Sequence, residues 1–285
     1  MRKLTYFALW AALLLVMATP VAAVTNGTFD GDGHPYVGLV VFYVGGEAQW
    51  RCSGALLSDT VFLTAGHCAY GAEEARIWFN PEYMPYDPKN EDNDPEYGYP
   101  YYGYWAKGTP IHYPDYCEAA GTCGHGLPGF DSGDVGLVLI TEWTDGRTVS
   151  VYADLPDQGQ VDDLPMKTEV TIVGYGVQEQ LQIPGSALKG LPYPPPYHRW
   201  FGRSRMSAPS LLIQSNDVIS SEFLKLTANP AQGKGGTCFG DSGGPVLLGD
   251  TVLGVNSFVT NFNCRGVTYS NRIDLAAILT WIQAQ

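Results

Sequence analysis

The residues with the clearest chemical potential lie in GDSGGPV (240–246), where Ser242 stands between glycines and directly follows Asp241. A serine hydroxyl is a weak nucleophile unless an imidazole takes its proton and a carboxylate orients that imidazole. Backbone amides must also stabilise the oxyanion that forms on the attacked carbonyl. Ser242 is therefore either a turn residue or a nucleophile whose histidine and aspartate partners lie elsewhere in the chain.

His67 is the strongest candidate for that histidine, because it follows an apolar run and precedes a cysteine in LTAGHCAY. Two aspartates in GFDSGDVGLVLI compete for the orienting role. Asp134 opens the apolar run of this stretch, whereas Asp131 lies in a Ser/Gly turn, where aspartates commonly accept hydrogen bonds from backbone amides. The other histidines are interpreted as surface or core residues, the usual roles of a lone histidine: His34, His112, His125 and His198.

The rest of the chain predicts an all-β framework for these residues. Its 285 residues, 45% of them hydrophobic, are enough for one large core or two modest ones. Only RIDLAAILTWIQ (272–283) has convincing helical periodicity, and the polar stretch 152–165 separates two strand-rich halves. Apolar runs bounded by turn residues, which are typical of strands, lie at 36–44, 60–65, 135–140, 170–176, 244–249 and 251–259.

Residues 1–23 are predicted to be a cleaved signal peptide. A basic flank at Arg2 and Lys3 precedes an apolar run, and Pro20 and small residues follow it. The alternative is an uncleaved anchor, since about 20 apolar residues can span a bilayer, but the helix-breaking Pro20 favours cleavage. No later stretch is predicted to span a membrane, so we expect a secreted, extracellular protein without a stable membrane anchor.

Charge and cysteine content narrow the function classes further. The chain has 16 Lys and Arg against 29 Asp and Glu, and removing residues 1–23 takes away two cations, which leaves 14 against 29, or −15. Such a chain repels nucleic acid, which is therefore excluded as a partner. Six cysteines in an exported chain predict three disulfides, chosen among 15 pairings. The His and Cys clustering of a zinc site is not recognisable, so no metal or other cofactor is expected.

Three stretches, in this order along the chain, resemble motifs of the trypsin-like, or chymotrypsin, family of serine peptidases: TAGHC (64–68), DVGLVLI (134–140) and GDSGGP (240–245). VTNG (24–27) is similar to the family's mature N-terminus, and VGYG (173–176) to a strand of its second lobe. Together the stretches touch most of the chain beyond the signal peptide.

The resemblance implies one peptidase domain over residues 24–285. Its fold is expected to be all-β, with two Greek-key antiparallel β-barrels that hold the active site between them. The first barrel is expected over about 24–150 and the second over about 165–270. A short C-terminal α-helix over about 272–283 completes this fold.

The chemistry implied by the resemblance is peptide-bond hydrolysis through an acyl-enzyme intermediate. Ser242 is the implied nucleophile, His67 the base, and Asp134 the residue that sets the tautomer and stabilises the imidazolium. The amides of Gly240 and Ser242 form the implied oxyanion hole. The alternative is a catalytically silent relative that serves as a binding module, but such relatives usually lack a triad member, and all three are present here.

The resemblance also implies how the enzyme is switched on. In the family, the ammonium of the mature N-terminus pairs with the carboxylate that precedes the nucleophile, which makes Val24 and Asp241 the activation pair. The small residues before Val24 suit signal peptidase, so signal removal after Ala23 is expected to expose the activating amine. A cut after Ala18 is the alternative and leaves a short propeptide.

Disulfides and the substrate pocket follow from the same resemblance. The implied pairs are Cys52 with Cys68 and Cys238 with Cys264, which leaves Cys117 and Cys123 as a local staple. The implied pocket has Gly236 at its base, Thr237 beside it, and one wall formed by Ser257, Phe258 and Val259. None of these pocket residues is charged, so we expect cleavage of protein or peptide substrates after a neutral, apolar residue.

Two stretches depart from the family pattern. The acidic, tyrosine-rich segment 79–108 is interpreted as a surface insertion, with an aromatic rim that contacts substrate as the alternative. The proline-rich segment 189–205 is interpreted as an exposed loop with polyproline-like backbone.

Overall fold

The computed structural model describes residues 24–82, 100, 103–116, 133–176, 204–214, 222–261 and 264–285. The predicted signal peptide and most of the segments 79–108 and 189–205 lie outside these residues. Within the described ranges, the chain forms thirteen strands and two α-helices. The strands are β1 (Thr28–Phe29), β2 (Val37–Val44), β3 (Glu47–Leu56), β4 (Val61–Thr64), β5 (Glu74–Trp78), β6 (Ala106–His112), β7 (Gly136–Trp143), β8 (Glu169–Gly174), β9 (Met206–Gln214), β10 (Phe223–Ala228), β11 (Pro245–Leu248), β12 (Thr251–Val259) and β13 (Gly266–Arg272), and the helices are α1 (Gly66–Ala69) and α2 (Ala276–Gln283).

Two antiparallel barrels account for twelve of these strands, as the family resemblance implies. Six strands close the first barrel in the order β2-β3-β4-β7-β6-β5. In the second barrel, β8 pairs with both β9 and β11, which closes the ring β8-β9-β10-β13-β12-β11. The predicted all-β fold with two barrels and a C-terminal helix is confirmed.

The two barrels share apolar packing rather than meeting only through polar loops. The largest hydrophobic cluster is built mainly from first-barrel residues such as Leu39 and Phe62. It also includes Val173 and Val255 of the second barrel and Ile278 of α2. Because interiors are close-packed, this shared cluster fixes the relative position of segments contributed by both barrels.

The N-terminal stretch belongs to the second barrel, whereas the sequence boundary of about 24–150 placed it in the first. Strand β1 pairs with β9, and Thr25 forms an isolated bridge with Gly236. The Thr25 hydroxyl also donates to the Gly236 carbonyl and accepts from the Gly236 amide at 3.0 Å. These long-range bonds place the N-terminal stretch in the second barrel, although first-barrel strands follow it in the sequence.

The C-terminal helix begins four residues later than the periodicity of 272–283 predicts. Arg272 is the last residue of β13 and pairs with Gly254 of β12. Its guanidinium forms a buried ion pair with Asp274 at 2.8 Å. Helix α2 then buries Ile278, Leu279 and Ile282. Within the described ranges, no helix is long and apolar enough to cross a membrane.

Candidate active site

His67 is held by the short helix α1, directly after β4. The neighbouring Cys68 forms a disulfide with Cys52 on β3, which ties the helix to the first barrel. Gly66 allows close packing, because a Cβ at this position would lie only 3.0 Å from the backbone nitrogen of Val135. The local sequence GHC therefore brings His67 beside the start of β7.

Asp134 lies at that start and meets His67 at three points. Its side chain is fully buried. Its carboxylate accepts the backbone amide of His67 at 2.8 Å and contacts the His67 Nδ1 at 2.9 and 3.1 Å. The Ser257 hydroxyl donates a further hydrogen bond to Oδ2. The predicted base and acid are thus in direct contact, and the backbone bond fixes the position of the ring as well as its orientation.

The electrostatics of Asp134 favour its ionised form. Burial alone would raise its pKa, but the charge of His67 and the hydrogen bonds from His67 and Ser257 outweigh burial and hold the pKa below its ordinary value of 3.8. An ionised carboxylate only accepts hydrogen bonds, so Nδ1 of His67 carries the ring proton. Nε2 is then the nitrogen that can accept a proton from another group.

The loop around Ser242 carries the two amides of the predicted oxyanion hole, those of Gly240 and Ser242. The Asp241 amide donates to the Cys238 carbonyl at 3.0 Å. Among the residues that the structure describes, the amides of Gly240 and Ser242 donate no hydrogen bond. Gly240 has a φ of 91°, a backbone conformation that favours glycine. The two amides on either side of Asp241 can therefore bind an oxyanion.

The backbone of this loop packs against the segment that precedes His67. The Ser242 carbonyl accepts the Ser53 amide at 2.8 Å. A Cβ at Gly243 would lie 2.7 Å from the Ala65 nitrogen, so the loop approaches β4 and α1 as closely as backbones can. Within the described part of the chain, Ser242 Oγ makes no hydrogen bond to the His67 ring. Such bonds are often long in unliganded enzymes and shorten when substrate binds.

Asp241 is the second fully buried carboxylate of the site. It accepts the Gly176 amide at 2.8 Å and the Cys238 amide at 2.9 Å, and the Val24 amide also donates to it. Burial raises its pKa to about 7, although these amides and the positive charge of Arg51 act in the opposite direction. The carboxyl therefore lacks a counter-charge strong enough to offset its desolvation.

The Asp241 side chain leaves no room for a side chain at either glycine of the VGYG stretch. A Cβ at Gly176 would lie 2.6 Å from Asp241 Oδ1, and one at Gly174 would lie 3.1 Å from Asp241 Cγ. Val24, the other residue of the expected activation pair, is fully buried with a φ of 50°. Positive φ is unfavourable for a β-branched residue, so the chain at Val24 is strained where its amide reaches Asp241.

The residues of the expected pocket are all buried, and two of them have further contacts. Gly236 has no room for a side chain, because its Cβ would contact Ala228 and would lie 3.1 Å from Thr268 Cγ2. The Phe258 ring stacks on the Tyr269 ring with centroids 4.8 Å apart. The buried residues of the expected pocket are Gly236, Thr237, Ser257, Phe258 and Val259.

Sequence reasoning missed three contributors to the site. Ser257 was assigned only to the pocket, yet its hydroxyl binds Asp134, which is 123 positions away in the sequence. Thr268 faces the expected pocket base, and Ser53 contacts the Ser242 loop. No local motif marks these residues, because each contact joins segments that are distant in the sequence.

The structure contains the disulfides Cys52–Cys68 and Cys238–Cys264, which are the pairs implied by the resemblance. Asp131, Cys117 and Cys123 lie outside the described residues, as do His125 and His198. His34 contacts Asp30 at 2.6 Å, and His112 contacts the Tyr113 carbonyl.

One possible metal-binding cluster does form, contrary to the expectation from sequence that His and Cys do not cluster. Ligand atoms of Cys52, His67 and Cys68 lie within 4.8 Å of one another. The two sulfurs are bonded to each other in a disulfide, so neither is available as a thiolate. This donor set does not suit a zinc ion, which binds deprotonated cysteine.

A family model described as trypsin matches residues 122–282, which is more than half of the chain. The chain therefore belongs to the trypsin family, and its class is that of the serine endopeptidases, which are hydrolases acting on proteins or peptides. No curated protein matches the sequence.

Solved structures share this fold at low sequence identity. HL collagenase is 18% identical with a TM-score of 0.60, covering 90% of this chain and 95% of that chain. Human heparin binding protein is 15% identical with a TM-score of 0.58, covering 91% of this chain and 95% of that chain. A scabies mite inactivated protease paralogue is 19% identical with a TM-score of 0.57, covering 90% of this chain and 97% of that chain.

Proposed function

We propose that this chain is a secreted serine endopeptidase that cleaves peptide bonds through Ser242, His67 and Asp134. The observation that carries the proposal is the buried Asp134 carboxylate, which accepts hydrogen bonds from both the ring and the amide of His67. This pair sets Nε2 of His67 as the proton acceptor. The amides of Gly240 and Ser242, which donate no hydrogen bond within the described part of the chain, supply the second requirement, which is stabilisation of an oxyanion.

The reaction proceeds in two halves. Ser242 Oγ attacks the scissile carbonyl carbon while its proton passes to His67 Nε2, and the Gly240 and Ser242 amides bind the resulting oxyanion. Asp134 stabilises the imidazolium, which then gives its proton to the leaving amine as the acyl-enzyme forms. Water attacks the acyl group with His67 as base, and return of the proton to Ser242 releases the carboxylic acid.

The preferred residue before the cut is neutral, apolar and small to medium in size. Ala228 and Thr268 occupy the space next to Gly236, which supports a shallow pocket base without a carboxylate. Cleavage after Arg or Lys would bury an unpaired cation there, at a cost of several kcal/mol. A cleavage profile on a peptide library tests this preference, and predominant cleavage after Arg or Lys would contradict it.

Activation follows from removal of the signal peptide after Ala23. The amide nitrogen of Val24 already reaches the Asp241 carboxylate, so cleavage at this bond would place an ammonium on a buried acid. The new charge would offset the desolvation of Asp241, and the strain at Val24 would be relieved once the preceding residue is gone. The alternative cut after Ala18 would leave residues 19–23 as a propeptide.

A catalytically silent binding module is the competing function. Two of the similar structures carry names of this kind, an inactivated protease paralogue and a heparin binding protein. This chain retains His67, Asp134 and Ser242, and its net charge of −13 opposes binding of a polyanion such as heparin. The enzyme is therefore the better supported proposal.

Labelling with a fluorophosphonate probe tests the proposal directly. The secreted protein should bind one probe per molecule at Ser242, because only an activated serine reacts with such a probe at a useful rate. The matched control is Ser242→Ala, which should stay unlabelled. Absence of labelling in the natural sequence would overturn the proposed activity.

A further inference from the structure

Ser53 on β3 connects the first barrel to the loop that carries Ser242. The residue is fully buried. Its hydroxyl donates to the Gly240 carbonyl at 2.8 Å and accepts the Tyr175 amide at 2.9 Å. A carbonyl cannot donate and an amide cannot accept, so the direction of both hydrogen bonds is fixed. The hydroxyl thereby joins two segments of the second barrel to one strand of the first.

The main chain of Ser53 strengthens the same junction. Its amide donates to the Ser242 carbonyl at 2.8 Å, and its carbonyl accepts the Thr64 hydroxyl at 2.9 Å. Gly243 also packs against this carbonyl, since a Cβ added at Gly243 would lie 2.6 Å from the Ser53 oxygen. Ser53 therefore contacts the residues on both sides of Asp241 and is itself held by β4.

Two partners of Ser53, Gly240 and Ser242, are the residues whose amides would bind the oxyanion. Gly240 has no side chain and adopts a φ of 91°, so steric contacts alone restrict its peptide orientation weakly. A hydrogen bond to its carbonyl limits rotation of this residue. The Tyr175 bond holds the adjacent Gly176, whose amide donates to the Asp241 carboxylate. One hydroxyl thus restrains the loop at its backbone and at its buried acid.

We propose that the Ser53 side chain is a positioning residue of the oxyanion hole, which fixes the Gly240 and Ser242 amides for catalysis without touching substrate. The inference rests on the proposed peptidase activity. Removing the hydroxyl leaves the Gly240 carbonyl and the Tyr175 amide without this partner in a buried site, which favours rearrangement of the loop. The loss should appear in the transition state, where the oxyanion exists, and not in substrate binding.

The test compares Ser53→Ala with Ser210→Ala. Ser210 is also fully buried, and its hydroxyl also donates to a backbone carbonyl, that of Thr227 at 2.7 Å, but it lies between β9 and β10. We expect Ser53→Ala to lower kcat per titrated active site by roughly 10- to 100-fold with KM unchanged. The affinity for a peptide aldehyde, which forms a tetrahedral adduct, should fall by a similar factor. Ser210→Ala should lower thermal stability but leave kcat unchanged.

Ser53→Thr keeps the hydroxyl and is expected to recover most of kcat. If Ser53→Ala does not fold, Ser53→Gly removes the same two hydrogen bonds and is measured in the same way. An unchanged kcat in the folded variant, or failure of both deletions to fold, overturns the positioning role. A natural sequence that neither reacts with the fluorophosphonate nor hydrolyses peptides overturns the proposed activity itself, and the inference with it.

Discussion

Asp134 and Asp241 are both fully buried in the same site, but they differ in ionisation. Asp134 contacts an ionisable ring, that of His67, and its pKa lies below the ordinary value. Asp241 accepts hydrogen bonds from backbone amides, and burial raises its pKa to about 7. Burial therefore does not decide the charge of a carboxyl by itself, since a cationic partner at contact distance can outweigh desolvation. The first pair is complete in the folded chain, and the second lacks the cation that processing at Val24 would supply.

The largest expected effect comes from breaking the pair of Asp134 and His67. Asp134→Asn should lower kcat by roughly 10⁴-fold, because an amide no longer holds the proton on Nδ1 of His67. The fold should persist, since the new side chain has nearly the same size and can still bond Ser257. Active-site titration and peptide hydrolysis measure the loss, and circular dichroism checks the fold.

Asp131→Asn serves as the control for that change, because Asp131 is the competing acid in the sequence. It should leave kcat within a few-fold of the natural sequence. A damaging Asp131→Asn together with a harmless Asp134→Asn would show that the assignment of the acid is wrong.

The pairing of Asp241 with the Val24 amine should make activity depend on the residue at which the chain begins. A chain that begins at Val24 should be fully active, whereas one that begins at Ala23 should lose roughly 10²- to 10³-fold in kcat/KM. The reason is that the longer chain leaves Asp241 without the ammonium, and an unpaired buried charge costs about 3–5 kcal/mol. N-terminal sequencing of the secreted active protein should read VTNG. Equal activity of both chains would remove the basis for activation by signal cleavage.

The same two chains should differ in how stability depends on pH. In the chain that begins at Ala23, Asp241 has a folded pKa of about 7, above its ordinary value of 3.8. Protonated Asp241 then contributes fully to the free energy of unfolding below about pH 4, and this contribution is lost as the pH rises through about 7. In the chain that begins at Val24, the paired ammonium should keep Asp241 ionised and remove this loss. Urea unfolding at pH values between about 4 and 8 measures the difference.

Asp241→Asn is the matched control for the pH experiment, because it removes the titrating group and keeps the acceptor oxygen. The two chains carrying this change should share one pH profile over the range from about 4 to 7. Above that range, the natural Val24 chain should lose stability as pH rises through the raised pKa of its amine, which is near 7.7 to 8.0 when free.

The contrast between the two aspartates also separates what sequence can predict from what it cannot. The motif around Asp134 predicted its contact with His67, which the structure contains, because the acid and the strand it opens are adjacent in the sequence. The strands and the two strand-rich halves could be predicted as well, since short apolar runs and turn residues are local signals, whereas the two barrels were implied by the family resemblance. By contrast, the side-chain hydrogen bonds of Ser53 and Ser257 reach loop residues that are 122 or more positions away in the sequence, and no local signal encodes them.

The boundary errors have the same physical origin. The N-terminal stretch was expected in the first barrel, yet the hydrogen bonds of Thr25 to Gly236 place it in the second. Helical periodicity around 272–275 was real, yet pairing of Arg272 with Gly254 extends β13 through the start of that stretch. In both cases tertiary pairing overrides the local pattern.

The smallest expected effect concerns the disulfide that borders the Asp241 region. The Cys238 amide donates to Asp241, and Cys238 is bonded to Cys264 beside the proposed pocket. Replacing both cysteines by Ala should lower kcat/KM by about 10-fold, because the bridge constrains the carboxylate's amide donor and the pocket wall. Stability should also fall by about 3 kcal/mol, the value expected for a loop of this length.

Cys117 and Cys123 provide the comparison for this disulfide. Their predicted pairing closes only a short local loop, which removes less conformational entropy from the unfolded chain. Replacing both by Ala should therefore leave kcat/KM nearly unchanged and cost less stability than loss of the Cys238–Cys264 bridge. Hydrolysis assays at a temperature where both variants are folded separate the effect on the site from the effect on stability. Equal losses of activity in the two variants would mean that the Cys238–Cys264 bridge stabilises the fold without shaping the site.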